Sequence, residues 1–192
     1  MYIRKLDLEE IRDIYEQYMK KDFPANELRP FAQTEKLYQN QHYEGYGMYD
    51  DADGFMAYAM YVRPPRHEIQ AVLLDYLAVV PSARGTGAGS IFLQEMQKMF
   101  RDTDVMLLEV ENPDYASSHE DLYVRRRRMK FYMKNDLNVT GVQTRVYGME
   151  YKILAMPIQH DPSDHEVIHT MSRIYHHLFQ PEVFELRRKE QA

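Results

Sequence analysis

The 192-residue chain contains no cysteine. Disulfides, thiolate zinc sites and a cysteine nucleophile are thereby excluded. No stretch approaches the ~20 apolar residues of a membrane span. The N-terminus, Met1-Tyr2-Ile3-Arg4-Lys5-Leu6-Asp7, lacks the apolar core of a signal peptide, so the expectation is a cytoplasmic protein with no membrane partner. An excess of basic residues is also missing. The net charge is −6, which argues against nucleic acid as the main partner. Glycine is scarce, with eight residues, and three of them are Gly85, Gly87 and Gly89. Apolar residues are plentiful at 44%, with 12% aromatic, enough for a sizeable core in one domain with an appendage.

The glycine cluster is the most informative segment. An apolar run from Val72 to Val80 ends at Pro81, and Arg84-Gly85-Thr86-Gly87-Ala88-Gly89 follows. A helical pattern starts at once with Ser90-Ile91-Phe92-Leu93. A buried strand thus feeds a glycine-rich turn that opens a helix. Glycine takes positive φ without steric cost and lets the backbone approach a ligand. The first amides of a helix lack internal partners and sit at the positive end of the dipole. Together these features make a phosphate or pyrophosphate site.

Three loop types share this outline. The P-loop ends in Gly-Lys-Ser/Thr; here Ser90 and Ile91 follow Gly89, so that type is excluded. The dinucleotide loop G-x-G-x-x-G fits at Gly85 and Gly87, but Ser90 stands in place of its third glycine. Pro81-Ser82-Ala83-Arg84 also separates the strand from the glycines, while Glu109 keeps this alternative open as a ribose-binding acid. The third pattern is [Q/R]-x-x-G-x-[G/A], matched in full by Arg84, Gly87 and Gly89. With the lead-in Val79, Pro81, Arg84, Gly85 and Gly87, the segment resembles the coenzyme A pyrophosphate loop of the GNAT superfamily, the acetyl-CoA-dependent N-acetyltransferases.

The remaining elements read coarsely. Asp7 and Glu10 have the spacing of a capping box, and Leu8, Ile11, Ile14, Tyr15 and Tyr18 recur at helical spacing until Phe23-Pro24. A second helix is expected over 27–41. Residues 46–49 and 55–62 read as strands joined by the turn Asp50-Asp51-Ala52-Asp53-Gly54. A strand over 104–111, a polar loop over 112–120, a helix over 121–134, strands over 139–146 and 150–156 and a helical stretch over 161–179 follow. The tail from Glu185 to Glu190 reads as charged. The resulting order, β-α-α-β-β-β-α-β-α-β-β, is similar to that of the GNAT superfamily. The resemblance implies an α/β fold with a mixed, splayed sheet flanked by helices over residues 1–156. Residues 157–192 would form a C-terminal helical extension packed on the domain or on the partner subunit of a homodimer.

The resemblance also implies a site. Acetyl-CoA would be the co-substrate, with its pyrophosphate on Arg84, Gly85, Thr86, Gly87, Ala88, Gly89 and Ser90. Its pantetheine arm would pair with the backbone of Leu77, Ala78 and Val79, and Asn112 would be a further contact. The amide of Val79 would polarise the thioester carbonyl. Phe131 and Tyr132 match the F-Y pair of the family's second motif, A-x-x-F-Y-x-x-x-G, where Asn135 replaces the glycine and an arginine replaces the early small residue. Tyr132 falls where the family places a tyrosine beside the departing sulfur, and a phenol can hydrogen-bond to a thiolate throughout its departure. For the base the residues leave alternatives. Asp75 shares a strand face with Leu77 and Val79, and Glu109 lies with Glu111 on one face of the next strand. Either can take the ammonium proton, and Asp75 can instead pair with an arginine. Without cysteine, direct attack in a ternary complex is favoured over a covalent step. The acids Asp75, Glu109, Glu111, Asp114 and Glu120 suggest a cationic primary amine as acceptor.

Two segments suggest other chemistry. Arg125 to Arg128 point in different directions on a helix and read as an ion-paired, solvated surface. His165-Glu166-Val167-Ile168-His169 is literally H-E-x-x-H, the zincin motif. A zincin needs a third ligand and an enclosed cleft, and little chain remains after the motif to build them, so no metal is expected. Two rivals to an acetyltransferase stay open: a non-catalytic acyl-CoA-binding module on the same fold, and a zinc metallohydrolase.

Overall fold

The computed structural model describes residues 1–188. Its helices and strands fall into two compact units. The first comprises residues 1–65 and 74–98, and the second comprises residues 66–73 and 99 onward.

In the first unit, β1 (Tyr2–Leu6) leads to α1 (Leu8–Ile14). The expected capping box is present: the Asp7 carboxylate accepts from the Glu10 amide at 2.9 Å, and the Glu10 carboxylate accepts from the Asp7 amide at 3.0 Å. The helix continues through a π-helical segment (Tyr15–Met19) and a last turn (Lys20–Asp22). The wider π turn shifts the apolar stripe by one residue. Met19 is therefore buried and Tyr18 only half-buried, with the Tyr18 ring against Phe55. The second helix, α2 (Phe31–Gln39), starts four residues later than its sequence suggests. Pro30 is the reason, because the residue before a proline is pushed out of helical geometry, and 23–30 form an irregular connection.

Strands β2 (Tyr43–Tyr49) and β3 (Phe55–Val62) make the expected antiparallel hairpin. Asp50 closes it by accepting from the amides of Ala52 at 2.9 Å and Gly54 at 2.8 Å. The strand order is β1-β2-β3-β4, with β4 spanning Ala71–Val79. Residues 71–73 of β4 belong to the second unit and 74–79 to the first. A 3-10 turn (Pro81–Ala83) and α3 (Ala88–Met99) follow. Residues 57–62 of β3 and Phe92, Leu93 and Met96 of α3 are core residues.

In the second unit, β5 (Val105–Glu111), β7 (Met149–Pro157), β6 (Asn138–Val146) and β8 (Phe184–Arg188) lie side by side, each pair antiparallel. Helix α4 (His119–Lys134), capped by Ser118, starts two residues before the expected Asp121. Helix α5 (Asp164–Leu178) buries Val167, Met171, Ile174 and Tyr175. Residues 184–188 are a strand, although their sequence reads as a charged tail. Thr144 faces Leu186 across the pair, and Arg187 of β8 and Arg145 of β6 both reach the Glu150 carboxylate. The C-terminal extension therefore completes the sheet of this unit. Among the described residues no helix is long and apolar enough to cross a membrane.

Candidate active site

The glycine segment lies in the first unit. Gly85 and Gly87 have φ of 81° and 86°, and a Cβ added to either would meet no atom within 4 Å. Left-handed backbone, not crowding within the chain, accounts for glycine at both positions. The amide of Thr86 donates to Ala83 at 3.4 Å and that of Ser90 to Gly87 at 3.0 Å. The amides of Gly87, Ala88 and Gly89 make no hydrogen bond among the described residues. Helix α3 starts at Ala88, two residues before the expected Ser90, so these amides are its unsatisfied first turn. Arg84 turns back on the protein. Its Nε donates to the Val79 carbonyl at 3.1 Å, and its guanidinium reaches Asp22 at 3.4 Å. The strand that enters the loop is buried at Val72, Leu73 and Leu74 but half-buried at Leu77, Ala78 and Val79.

Asp75 is held on three sides. Arg29 forks onto its two carboxylate oxygens at 2.6 and 3.2 Å, and the Tyr43 hydroxyl donates at 3.1 Å. The side chains of Arg29 and Asp75 are only 7% and 10% exposed, which makes this a buried ion pair. Burial, reinforced by the Asp75 charge, pushes the Tyr43 phenol well above its ordinary value, so it remains a donor. The Tyr76 hydroxyl donates to the Glu27 carbonyl at 2.9 Å and accepts from the Arg29 amide at 3.0 Å. Arg29 was not legible as a partner: it is a lone arginine between Leu28 and Pro30, 46 positions from Asp75.

The other candidate residues lie in the second unit. Glu109 accepts from the Tyr175 hydroxyl, and the Thr144 hydroxyl stands 3.5 Å away. Glu111 pairs with Arg125 at 3.6 Å and with Arg128. Asn112 is fully buried; its side-chain oxygen accepts from the Asp114 amide at 3.0 Å, while its Nδ2 is buried without a partner among the described residues. Asp114 pairs with Lys152 at 2.9 Å. Asp75, Glu111 and Asp114 thus have cationic partners within the protein. Arg125 is itself buried, bonded to Asp121 at 2.7 Å and to the Asn112 carbonyl at 3.0 Å.

Tyr132 sits two residues from the end of α4, half-buried, with its ring edge-on to Phe131. Burial pushes its phenol up to about 12, slightly opposed by Arg128. Its hydroxyl makes no hydrogen bond among the described residues. The left-handed residue after the helix is Asp136, φ 65°, and not Asn135, whose φ is −108°.

The H-E-x-x-H segment is explained by helix capping. Glu166 is the capping-box acid of Ser163, accepting from its amide and hydroxyl, each at 2.8 Å, and from His160 at 3.1 Å. These donors hold the Glu166 carboxyl down at about 2, too weak a base to activate water. Among the described residues no group of three or more His, Asp or Glu is placed to hold a metal.

One substitution separates the backbone role of the loop from a packing role. Gly87→Val adds a side chain where the protein itself offers no obstacle, so the fold should survive with local strain of about 1–2 kcal/mol. If the loop amides hold an anion, that side chain occupies the anion's place. Calorimetry is expected to show coenzyme A affinity at least tenfold weaker, ~1.4 kcal/mol or more. Unchanged affinity in a folded variant would remove the loop from the site.

No curated protein sequence matches the chain. Several solved structures share its fold. The ribosomal-protein-S18-alanine N-acetyltransferase of Escherichia coli superposes with a TM-score of 0.59 at 17% identity, covering 85% of this chain and 97% of that one. An aminoglycoside 6′-N-acetyltransferase complexed with coenzyme A gives a TM-score of 0.59 at 18% identity, covering 85% and 100%. The spermidine/spermine N-acetyltransferase of Vibrio cholerae in complex with manganese ions gives 0.55 at 12% identity, covering 82% and 92%. Residues 8–126 match the family model described as the acetyltransferase (GNAT) family. A match over more than half of the chain, together with the shared fold, places this protein in the GNAT acetyltransferase family.

Proposed function

We propose that the protein transfers an acetyl group from acetyl-CoA to a primary amine by direct attack in a ternary complex. The observation that carries this reading is the first turn of α3, where three consecutive amides without internal partners follow two glycines at positive φ. Backbone donors at a helix N-terminus suit a pyrophosphate. The half-buried end of β4 at Leu77, Ala78 and Val79 suits the pantetheine arm. A Val79 amide beside the thioester carbonyl would be worth about 3 kcal/mol in the transition state. Arg84 acts here through Val79: by holding that residue's carbonyl it fixes the end of the strand. A nitrogen acceptor is supported by the three related structures, which are described as N-acetyltransferases of an alanine, an aminoglycoside and a polyamine.

Tyr132 serves as the donor to the departing sulfur. Glu109 is the better candidate base, because Asp75 is occupied by Arg29. A carboxylate clamped by a guanidinium gives up stabilisation when it takes a proton. Glu109 and the exposed Glu120 are acids that would attract a cationic amine, and Asn112 stays a candidate cofactor contact through its buried amide. The test is a turnover screen of acetyl-CoA against panels of polyamines, aminoglycosides and peptides with lysine or N-terminal amines, reading thiol release. At least one amine is expected to release coenzyme A with formation of its acetamide. Coenzyme A binding without turnover on any panel would favour a non-catalytic binding module.

A further inference from the structure

Glu109 is held by the part of the chain that lies beyond the family match. Residues 8–126 carry that match, and Tyr175 comes from α5 in the C-terminal extension, 66 positions from Glu109. The Tyr175 hydroxyl donates to Glu109 Oε1, and the same oxygen lies 3.5 Å from the Thr144 hydroxyl. The two hydroxyls are themselves 2.8 Å apart. Tyr175 is fully buried, and its ring is fixed edge-on by Phe179 and Phe184 at 5.4 and 5.0 Å. Burial, then the Glu109 charge, pushes its phenol well above its ordinary value. It therefore donates at every working pH.

We infer that Tyr175 is a positioning residue for the Glu109 carboxylate, which it orients and keeps ionised as the acceptor of the ammonium proton. This rests on the acetyl-transfer reading above. In that reaction the ammonium proton passes to Glu109. The freed nitrogen lone pair forms the C–N bond, the C–S electrons leave on sulfur, and sulfur takes up the proton shed by the amide nitrogen. A hydrogen bond to the charged form of a carboxyl favours that form. A neutral base ready at the start of the cycle would need no such support; an ionised one in half-buried surroundings does, because desolvation opposes its charge. Tyr151 on β7 acts on the Tyr175 phenol as well, and two residues along β5, on the same face as Glu109, lies Glu111 with its partners Arg125 and Arg128. Lys152 is engaged with Asp114.

The test reads Glu109 directly. The full chain is labelled with carboxyl-13C glutamate, and Glu109→Gln assigns the resonance. In Tyr175→Phe, which keeps the ring and deletes the hydroxyl, the titration midpoint of Glu109 is expected to rise by about one pH unit. The acid limb of kcat/KM for the amine should move the same way, with coenzyme A affinity unchanged. Thr144→Val, which removes the second hydroxyl, should give a smaller shift in the same direction and serves if Tyr175→Phe does not fold. A midpoint that stays in place overturns the inference whether or not acetyl transfer is found. A midpoint that moves while no amine is acetylated supports the positioning contact and overturns the acetyl-transfer reading.

Discussion

Tyr132→Phe is expected to lower kcat for acetyl transfer roughly ten- to a thousandfold while leaving coenzyme A affinity near that of the unmodified protein. The substitution keeps the ring and its edge-on contact with Phe131, so packing changes little. What is lost is one hydroxyl that makes no hydrogen bond among the described residues. An unused phenol on a half-buried helix end stabilises nothing in the resting fold, so its removal should leave Tm unchanged. The phenol at about 12 also defines how it can act. A coenzyme A thiol resembles a cysteine thiol, with a value of about 8.5. Full transfer of the phenolic proton to a solvated thiolate is then uphill by 3 to 4 units, about 5 kcal/mol. A hydrogen bond that strengthens as charge gathers on sulfur carries no such cost and acts in the transition state only, the condition for raising kcat. The sign for pH follows. Tyr132 remains protonated below about 12, so any loss of rate on the alkaline side well below that value belongs to another group. Steady-state kinetics across pH, with calorimetry for coenzyme A, gives the measurement. A fully active variant would hand the sulfur's donor role to water.

The largest effect on stability is expected at Arg29. Arg29→Met keeps much of the side chain's volume but strips Asp75 of its counter-charge in a site where the two groups are 7% and 10% exposed. Removing one partner of a buried pair costs about 3–5 kcal/mol, because the remaining charge stays desolvated. For a chain of this size that corresponds to a fall in Tm on the order of 10 °C. Arg29→Met with Asp75→Leu should recover most of the loss, since replacing both charges with apolar groups removes the stranded carboxylate. Tyr43 would then lose its acceptor, which limits the recovery. Thermal unfolding of the two single variants and the double variant closes a thermodynamic cycle. A cost below about 1 kcal/mol for Arg29→Met would place the pair among exposed salt bridges.

The sequence by itself determined what depends on neighbours a few residues apart. Asp7 and Glu10 announce the capping box because each reaches only the other's amide. Asp50 and Gly54 announce the hairpin turn for the same reason. Arg84, Gly87 and Gly89 announce the loop, since positive φ and bare helix amides are local backbone properties, and the fold class followed from the order of such local elements. Local reading failed where one residue changed the geometry. Pro30 delayed α2, and a π turn moved burial from Tyr18 to Met19. The tertiary structure alone decided which partners the candidate acids meet. Asp75 meets Arg29 across 46 positions, and Glu109 meets Tyr175 across 66. Residues 184–188 became a strand because β6 offered an edge to pair with, not because of their own pattern. Such partners are brought together by closing long loops, whose entropic cost rises only slowly with length. Sequence distance therefore says little about which side chains will meet, and a carboxylate's charge is set by its neighbours in space.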